Sequence, residues 1–159
     1  MDGKGRGVEN FWFLDTLVRV QVATDEAAGL SVLEHWVPFG DSPPLHIHQT
    51  EDEVFHILEG AMTFRIHDQE RHVAAGETLL APRGIPHTYR ADAAGGGRFL
   101  TVTARGDFER MVRELGRPAP RLELPPPSGP PTPEAMATLT ATARKHGIEI
   151  VGPPLPRRG

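Results

Sequence analysis

The sequence predicts an all-β sandwich or barrel followed by a short helical tail, and three observations carry that reading. Apolar and polar residues alternate with a period of two in short stretches between Phe11 and Arg105. Glycine, proline and aspartate punctuate these stretches at even spacing, as turns between strands require. After Gly106 the alternation stops, and a proline-rich segment lies between two helical patterns.

Taken in order, Met1–Gly7 is glycine-rich and charged and is expected to fray. Phe11–Phe39 reads as strands, with Val18, Val20 and Val22 on one face of Leu17–Val22. Asp25–Gly29 turns the chain into a second strand, Leu30–Phe39, which Pro38, Pro43 and Pro44 end. Val54–Leu58, Ala61–His67, Gln69–Ala74 and Thr78–Ala81 follow, then His87–Arg90 after a turn. Ala91–Gly97 is a loop, and Arg98–Arg105 is the last strong strand. Residues 1–106 therefore form the barrel unit.

Residues 107–159 have a different character. Asp107 is the expected N-cap of a helix through Leu115, with Gly116 as its stop. Arg117–Pro133 holds eight of the sixteen prolines, which excludes regular structure and predicts an extended strap. Thr132 and Pro133 fit the N-cap and first residue of a helix over Pro133–His146, closed by Gly147. Ile148–Val151 is apolar enough to dock, and the strap is expected to pack on the barrel or on a second copy of the chain, as in a homodimer. The final Pro-Pro-Leu-Pro-Arg-Arg-Gly has no evident role.

Composition narrows the function. A net charge of −4 and no basic run argue against nucleic acid as a partner. Cysteine is absent, which excludes thiol catalysis and a disulfide framework. No apolar run resembles a signal peptide or a membrane span, so no membrane partner is expected and cytoplasmic residence is. A small-molecule substrate remains as the partner.

The chemistry concentrates between Gly40 and His87. One cluster reads Gly40, five residues, His46, one residue, His48, four residues, Glu53, six residues, Gly60. A second reads Gly76, five residues, Pro82, one residue, Gly84, two residues, His87. His46 and His48 leave the same face of a strand and can converge on one ion. Glu53 begins the inward face of an apolar strand with Phe55 and Ile57, where a carboxylate needs a compensating partner. Glu51 and Asp52 compete for that role, Asp52 with the opposite parity and Glu51 closer to the turn. Pro82-Arg83-Gly84-Ile85-Pro86 is a constrained turn that places His87 repeatably.

These two clusters resemble the paired motifs of the cupin superfamily. Every signature position of the first is filled; in the second, Ala91 stands where the family has an asparagine that is not a ligand. Phe108-Glu109-Arg110, Glu114-Leu115-Gly116 and His146-Gly147-Ile148-Glu149 are similar to the tails of small cupins grouped with quercetin 2,3-dioxygenase. The resemblance implies a double-stranded β-helix, or jelly-roll barrel, and favours Glu53 over Glu51. It implies one divalent transition metal per chain (iron, manganese, nickel, cobalt, copper or zinc) on His46, His48, Glu53 and His87. It also implies a dioxygenase acting on a flavonol-like, enolisable or phenolic molecule, with Glu53 doubling as a base. A redox-neutral lyase, isomerase or cyclase, and a non-catalytic binding module, are the alternatives.

The remaining side chains have plainer expectations. His35 is a core or pocket-lining residue, His56 lies outside the barrel, His67 and His72 are solvated, and His146 ends a helix. Trp12 and Trp36 pack, and Tyr89 shares the face of His87 and is placed to donate a hydrogen bond inside the barrel. Arg65, Arg83 and Arg90 read as surface charges.

Overall fold

Alternation along each short strand gives one apolar face, and two such sheets close over a common interior. The computed structural model describes residues 7–25 and 29–157. Apart from Gly7, the expectation for Met1–Gly7 lies outside the described residues. So do the centre of the Asp25–Gly29 turn and the last two residues of the tail.

The strands are β1 (Glu9–Phe13), β2 (Thr16–Val22), β3 (Ser31–Val37), β4 (Leu45–His48), β5 (Glu53–Glu59) and β6 (Ala61–Ile66). They continue with β7 (Gln69–Ala74), β8 (Thr78–Ala81), β9 (His87–Ala91) and β10 (Gly97–Thr103). Helix α1 (Asp107–Leu115), β11 (Arg117–Pro118), α2 (Pro133–Lys145) and β12 (Ile148–Gly152) complete the order. Two antiparallel sheets result, β11-β1-β2-β3-β10-β5-β8 and β12-β4-β9-β6-β7, in a jelly-roll arrangement.

Their inner faces make two cores. Phe55, Ile57, Met62, Phe64, Leu79 and Phe99 fill the barrel. Phe13, Val18, Val20 and Leu33 pack with Met111 and Val112 of α1 and Ile148 of β12. Each such side chain removed from water contributes roughly 1.5–3 kcal/mol. Gly60 closes the turn after β5 with φ near 85°, and a Cβ there would meet the Gly96 carbonyl. The fixed glycine of the first cluster thus has a steric cause.

The structure departs from the sequence reading in five places, four of them in the tail. Asp107 is not the cap of α1: Gly106 occupies that position without a side-chain hydrogen bond. The buried Glu51 supplies the cap instead, accepting from the amides of Asp107 (2.9 Å) and Phe108 (3.2 Å). The strap is extended but includes a two-residue strand, β11, which adds to β1. Trp12 Nε1 donates to the Glu123 carbonyl at 2.8 Å and fixes the strap further along. Ile148–Gly152 forms a strand on β4, the strand of His46 and His48. Finally, Arg90 is buried rather than on the surface, donating to Asp92 and to the Pro156 carbonyl (3.0 Å). The final segment therefore has a place: Leu155 is buried, and its amide bonds Ser42. Thr132 does cap α2, accepting from the Ala135 amide.

Candidate metal centre

Both sheets contribute to the site. His46 and His48 alternate with Leu45 and Ile47 on β4, so their rings leave one face. Strand β9 pairs with β4 with His46 opposite His87. Glu53 comes from β5 in the other sheet, as the first inward residue before Phe55 and Ile57. The two motifs are tied directly, because the Gly84 amide in the proline turn donates to the His48 carbonyl at 2.8 Å. Gly84 adopts φ near 75°, which a side chain would strain.

The ring centroids of His46, His48 and His87 lie 5.1 Å, 4.5 Å and 5.4 Å apart as pairs, so the three imidazoles surround one point. Glu53 Oε2 sits 2.8 Å from His87 Nε2 and 3.1 Å from His48 Nε2. One ligand atom from each of the four residues lies within 4.8 Å of the others. His48, Glu53 and His87 are buried and His46 is partly exposed, which marks the open side.

Backbone carbonyls orient two of the rings. His46 Nδ1 lies 2.7 Å from the Pro44 carbonyl, and His87 Nδ1 lies 3.4 Å from that of Ile85. A carbonyl only accepts, so Nδ1 carries the proton and Nε2 keeps its lone pair toward the cluster. Burial holds the rings neutral: it lowers His46 and His87 to about 4 and His48 well below its ordinary value. Burial raises Glu53 to about 7. Three neutral nitrogen donors and one carboxylate form a set that one divalent ion fits, and the ion would supply the charge Glu53 lacks.

Of the competing carboxylates, Glu51 caps α1 and Asp52 accepts from the Arg83 amide at 2.8 Å. Neither belongs to the cluster. His35 also lies outside it, stacked between Phe99 (4.7 Å) and Phe108 (5.7 Å), and its Nε2 has no partner. Burial lowers His35 to about 3. His56 faces outward onto Thr78, His67 is exposed beside Asp68, and His146 bonds Glu114 at the end of α2. His72 is exposed on β7 and bonds Thr63.

Three contributors escaped the sequence reading. Tyr89 points inward as expected, but its hydroxyl partner is Asp41, a loop residue raised to about 6 mainly by burial. Phe108 closes one side, edge-on to His48 at 6.2 Å. Glu51 holds the start of the helix that carries Phe108. A glutamate next to a turn gives no sequence signal for a cap it makes 56 residues away.

Residues 33–103 match the family model described as a cupin domain. Over 87 residues the chain is 28% identical to quercetin 2,3-dioxygenase of Bacillus subtilis, covering 55% of this chain and 26% of that protein. Over 119 residues it is 29% identical to endoribonuclease YbeY of Myxococcus xanthus, covering 75% and 37%. The chain thus spans about a quarter to two fifths of these curated relatives. Among solved structures, oxalate decarboxylase of Bacillus subtilis superposes with a TM-score of 0.56 at 24% identity, over 64% of this chain and 28% of that one. That likeness is one of fold. The jelly roll, the paired motifs and the matched segment together show a cupin domain at residues 33–103 of this chain.

Proposed function

We propose that the chain is a metal-dependent dioxygenase for a planar, uncharged phenolic or enolisable small molecule, with one divalent ion on His46, His48, Glu53 and His87. The observation that carries this reading is the four-ligand cluster buried among aromatic rings. Phe55 lies 6.1 Å from His87 and 5.8 Å from Phe99, and Tyr89 lies 5.3 Å from Phe99. The inward positions of β3, β5, β9 and β10 carry no lysine or arginine. A substrate with several carboxylates would find no protein cation there, whereas a flat neutral one suits the walls. The similarity to quercetin 2,3-dioxygenase supports oxygenation as the reaction.

His46, His48, Glu53 and His87 would hold a divalent ion, which would supply Lewis acidity and, in a redox-active form, redox chemistry. The protein's own part is proton handling and exclusion of water. Glu53 presents Oε2 to His48 and His87, leaving its other oxygen to accept the substrate's hydroxyl or enol proton. Phe108 and the α1 end cover the site beside His48. Both atoms of dioxygen enter the product, so no external reductant is required.

The test is oxygen uptake with a panel of flavonols and enolisable diketones, using protein loaded separately with iron, manganese, nickel, cobalt and zinc. Redox-active forms are expected to consume dioxygen with substrate, and the zinc form to be inert. Substrate conversion by the zinc form without oxygen uptake would establish the lyase, isomerase or cyclase reading. Tight binding without turnover by any form would establish a binding module.

A further inference from the structure

A line of polar side chains crosses the inner face of the larger sheet, between the two cores. The register of β3, β10 and β5 sets Ser31 and Thr103 beside Glu53, Leu33 and Thr101 beside Phe55, and His35 and Phe99 beside Ile57. Glu53, Thr101 and His35 thus run diagonally across three neighbouring strands, starting at the four-residue cluster. Phe55, Ile57 and Phe99 belong to the barrel core, and Leu33 and Phe108 to the other.

Two atoms on this line lack partners. His35 is 4% exposed and Thr101 1%, yet neither His35 Nε2 nor Thr101 Oγ1 has a hydrogen bond. The next row is satisfied, because Ser31 Oγ and Thr103 Oγ1 bond each other at 2.7 Å. A buried polar atom left unpaired destabilises the fold, so two of them on one face point to a partner from outside the chain.

We propose that His35 and Thr101 together bind a neutral hydroxyl at the far end of the substrate, an inference that rests on the cluster being a site for phenols or enols. Residues one diagonal apart on neighbouring strands lie about 7–8 Å from each other, so one oxygen between them reaches both. A hydroxyl donates and accepts, so it suits His35 in either tautomer and the Thr101 hydroxyl as well. A carboxylate or phosphate does not suit. Burial lowers His35 to about 3, so its ring is uncharged, and the inward positions of β3, β5 and β10 hold no lysine or arginine.

The separation selects for length. Phe108 stacks on His35 at 5.7 Å and meets His48 edge-on at 6.2 Å, so one ring's width lies between the two histidines. A planar molecule of two or three rings spans that gap, and a small single enol does not. Phe108 is partly exposed whereas Phe99, His35 and His48 are buried, which puts the entrance on its side.

The test is isothermal titration of zinc-loaded protein with two probes. One is unsubstituted flavonol; the other carries a single added hydroxyl at the para position of its outer phenyl ring. The parent is expected to bind the hydroxylated probe roughly tenfold more tightly or better, because the plain probe leaves both buried atoms unpaired. His35→Phe keeps a ring in the stack and Thr101→Val keeps the side-chain shape. Each is expected to lower that ratio, and the two together to bring it to about one. A general loss of stability does not move a ratio between two probes on one protein, and Thr101→Val alone is read if His35→Phe does not fold. Equal binding of both probes by the parent would mean that a buried water serves these atoms. That result overturns the proposal and leaves the oxygen-uptake test of the reaction standing, as does a preference that both variants keep. Binding of neither probe removes the proposal together with the phenol or enol site on which it rests.

Discussion

At the scale of single residues, neutral imidazoles are the foundation of the site. His46→Ala combined with His48→Ala is expected to abolish stoichiometric metal, read by elemental analysis, while the barrel still folds. Metal retained in full by that variant would contradict the ligand set. The unperturbed histidine value predicts metal release just below neutral pH, and burial corrects this. His46 and His87 are lowered to about 4, so their neutral forms persist well below 6.5. A lowered histidine contributes stability that is complete above its unfolded value and is lost as pH falls through its folded value. Metal should therefore stay bound from pH 8 to about 5 and leave near 4 and below. His35, lowered to about 3, follows the same sign. His35→Phe is expected to shift acid unfolding of the metal-free protein to lower pH, because the parent must charge a buried ring. Glu53→Gln keeps an oxygen donor but cannot accept the substrate proton. It is expected to lower kcat by at least tenfold, more than it lowers metal content.

Among the elements, the late ones serve the early ones. Strand β12 pairs Ile148 with His48 and Ile150 with His46, so β4, the strand of the two clustered histidines, lies between β9 and β12. Ending the chain at Gly116 removes that partner and the Ile148 side chain from the second core. The truncated protein is expected to lose thermal stability and solubility, and to hold metal less tightly, in a side-by-side melt and metal titration. Equal stability and affinity would mean that β4 does not depend on the tail. Helix α1 depends on Glu51 for its cap. Glu51→Ala should cost about 1–2 kcal/mol, the usual effect of losing an N-terminal cap, measured by denaturant midpoint.

For the whole molecule, the four clustered residues lie on both sheets, so an ion there would join the two layers of the jelly roll. Binding to the folded state alone raises stability by about 2.7 kcal/mol at a hundredfold excess over Kd. In a chain of this size that is roughly 5–10 °C in Tm. Chelation is expected to lower Tm by that order, and metal return to restore it. The His46→Ala, His48→Ala variant should show no such difference.

Local signals made the barrel strands legible, because period-two alternation and glycine or proline turns act over a few residues. They also brought His46, His48, Glu53 and His87 forward as one group, since the spacing of each cluster is set by a pleat and a turn. Contacts between distant segments were not legible. That Glu51 caps α1, that Arg90 is buried against the Pro156 carbonyl, and that Ile148–Gly152 completes the sheet beside β4 each join segments more than fifty residues apart. A glutamate, an arginine and an apolar pentapeptide read alike in solvent or in a core. Only the packing of the two sheets and the tail decides which they are, because hydrogen-bond partners and burial come from neighbours in space.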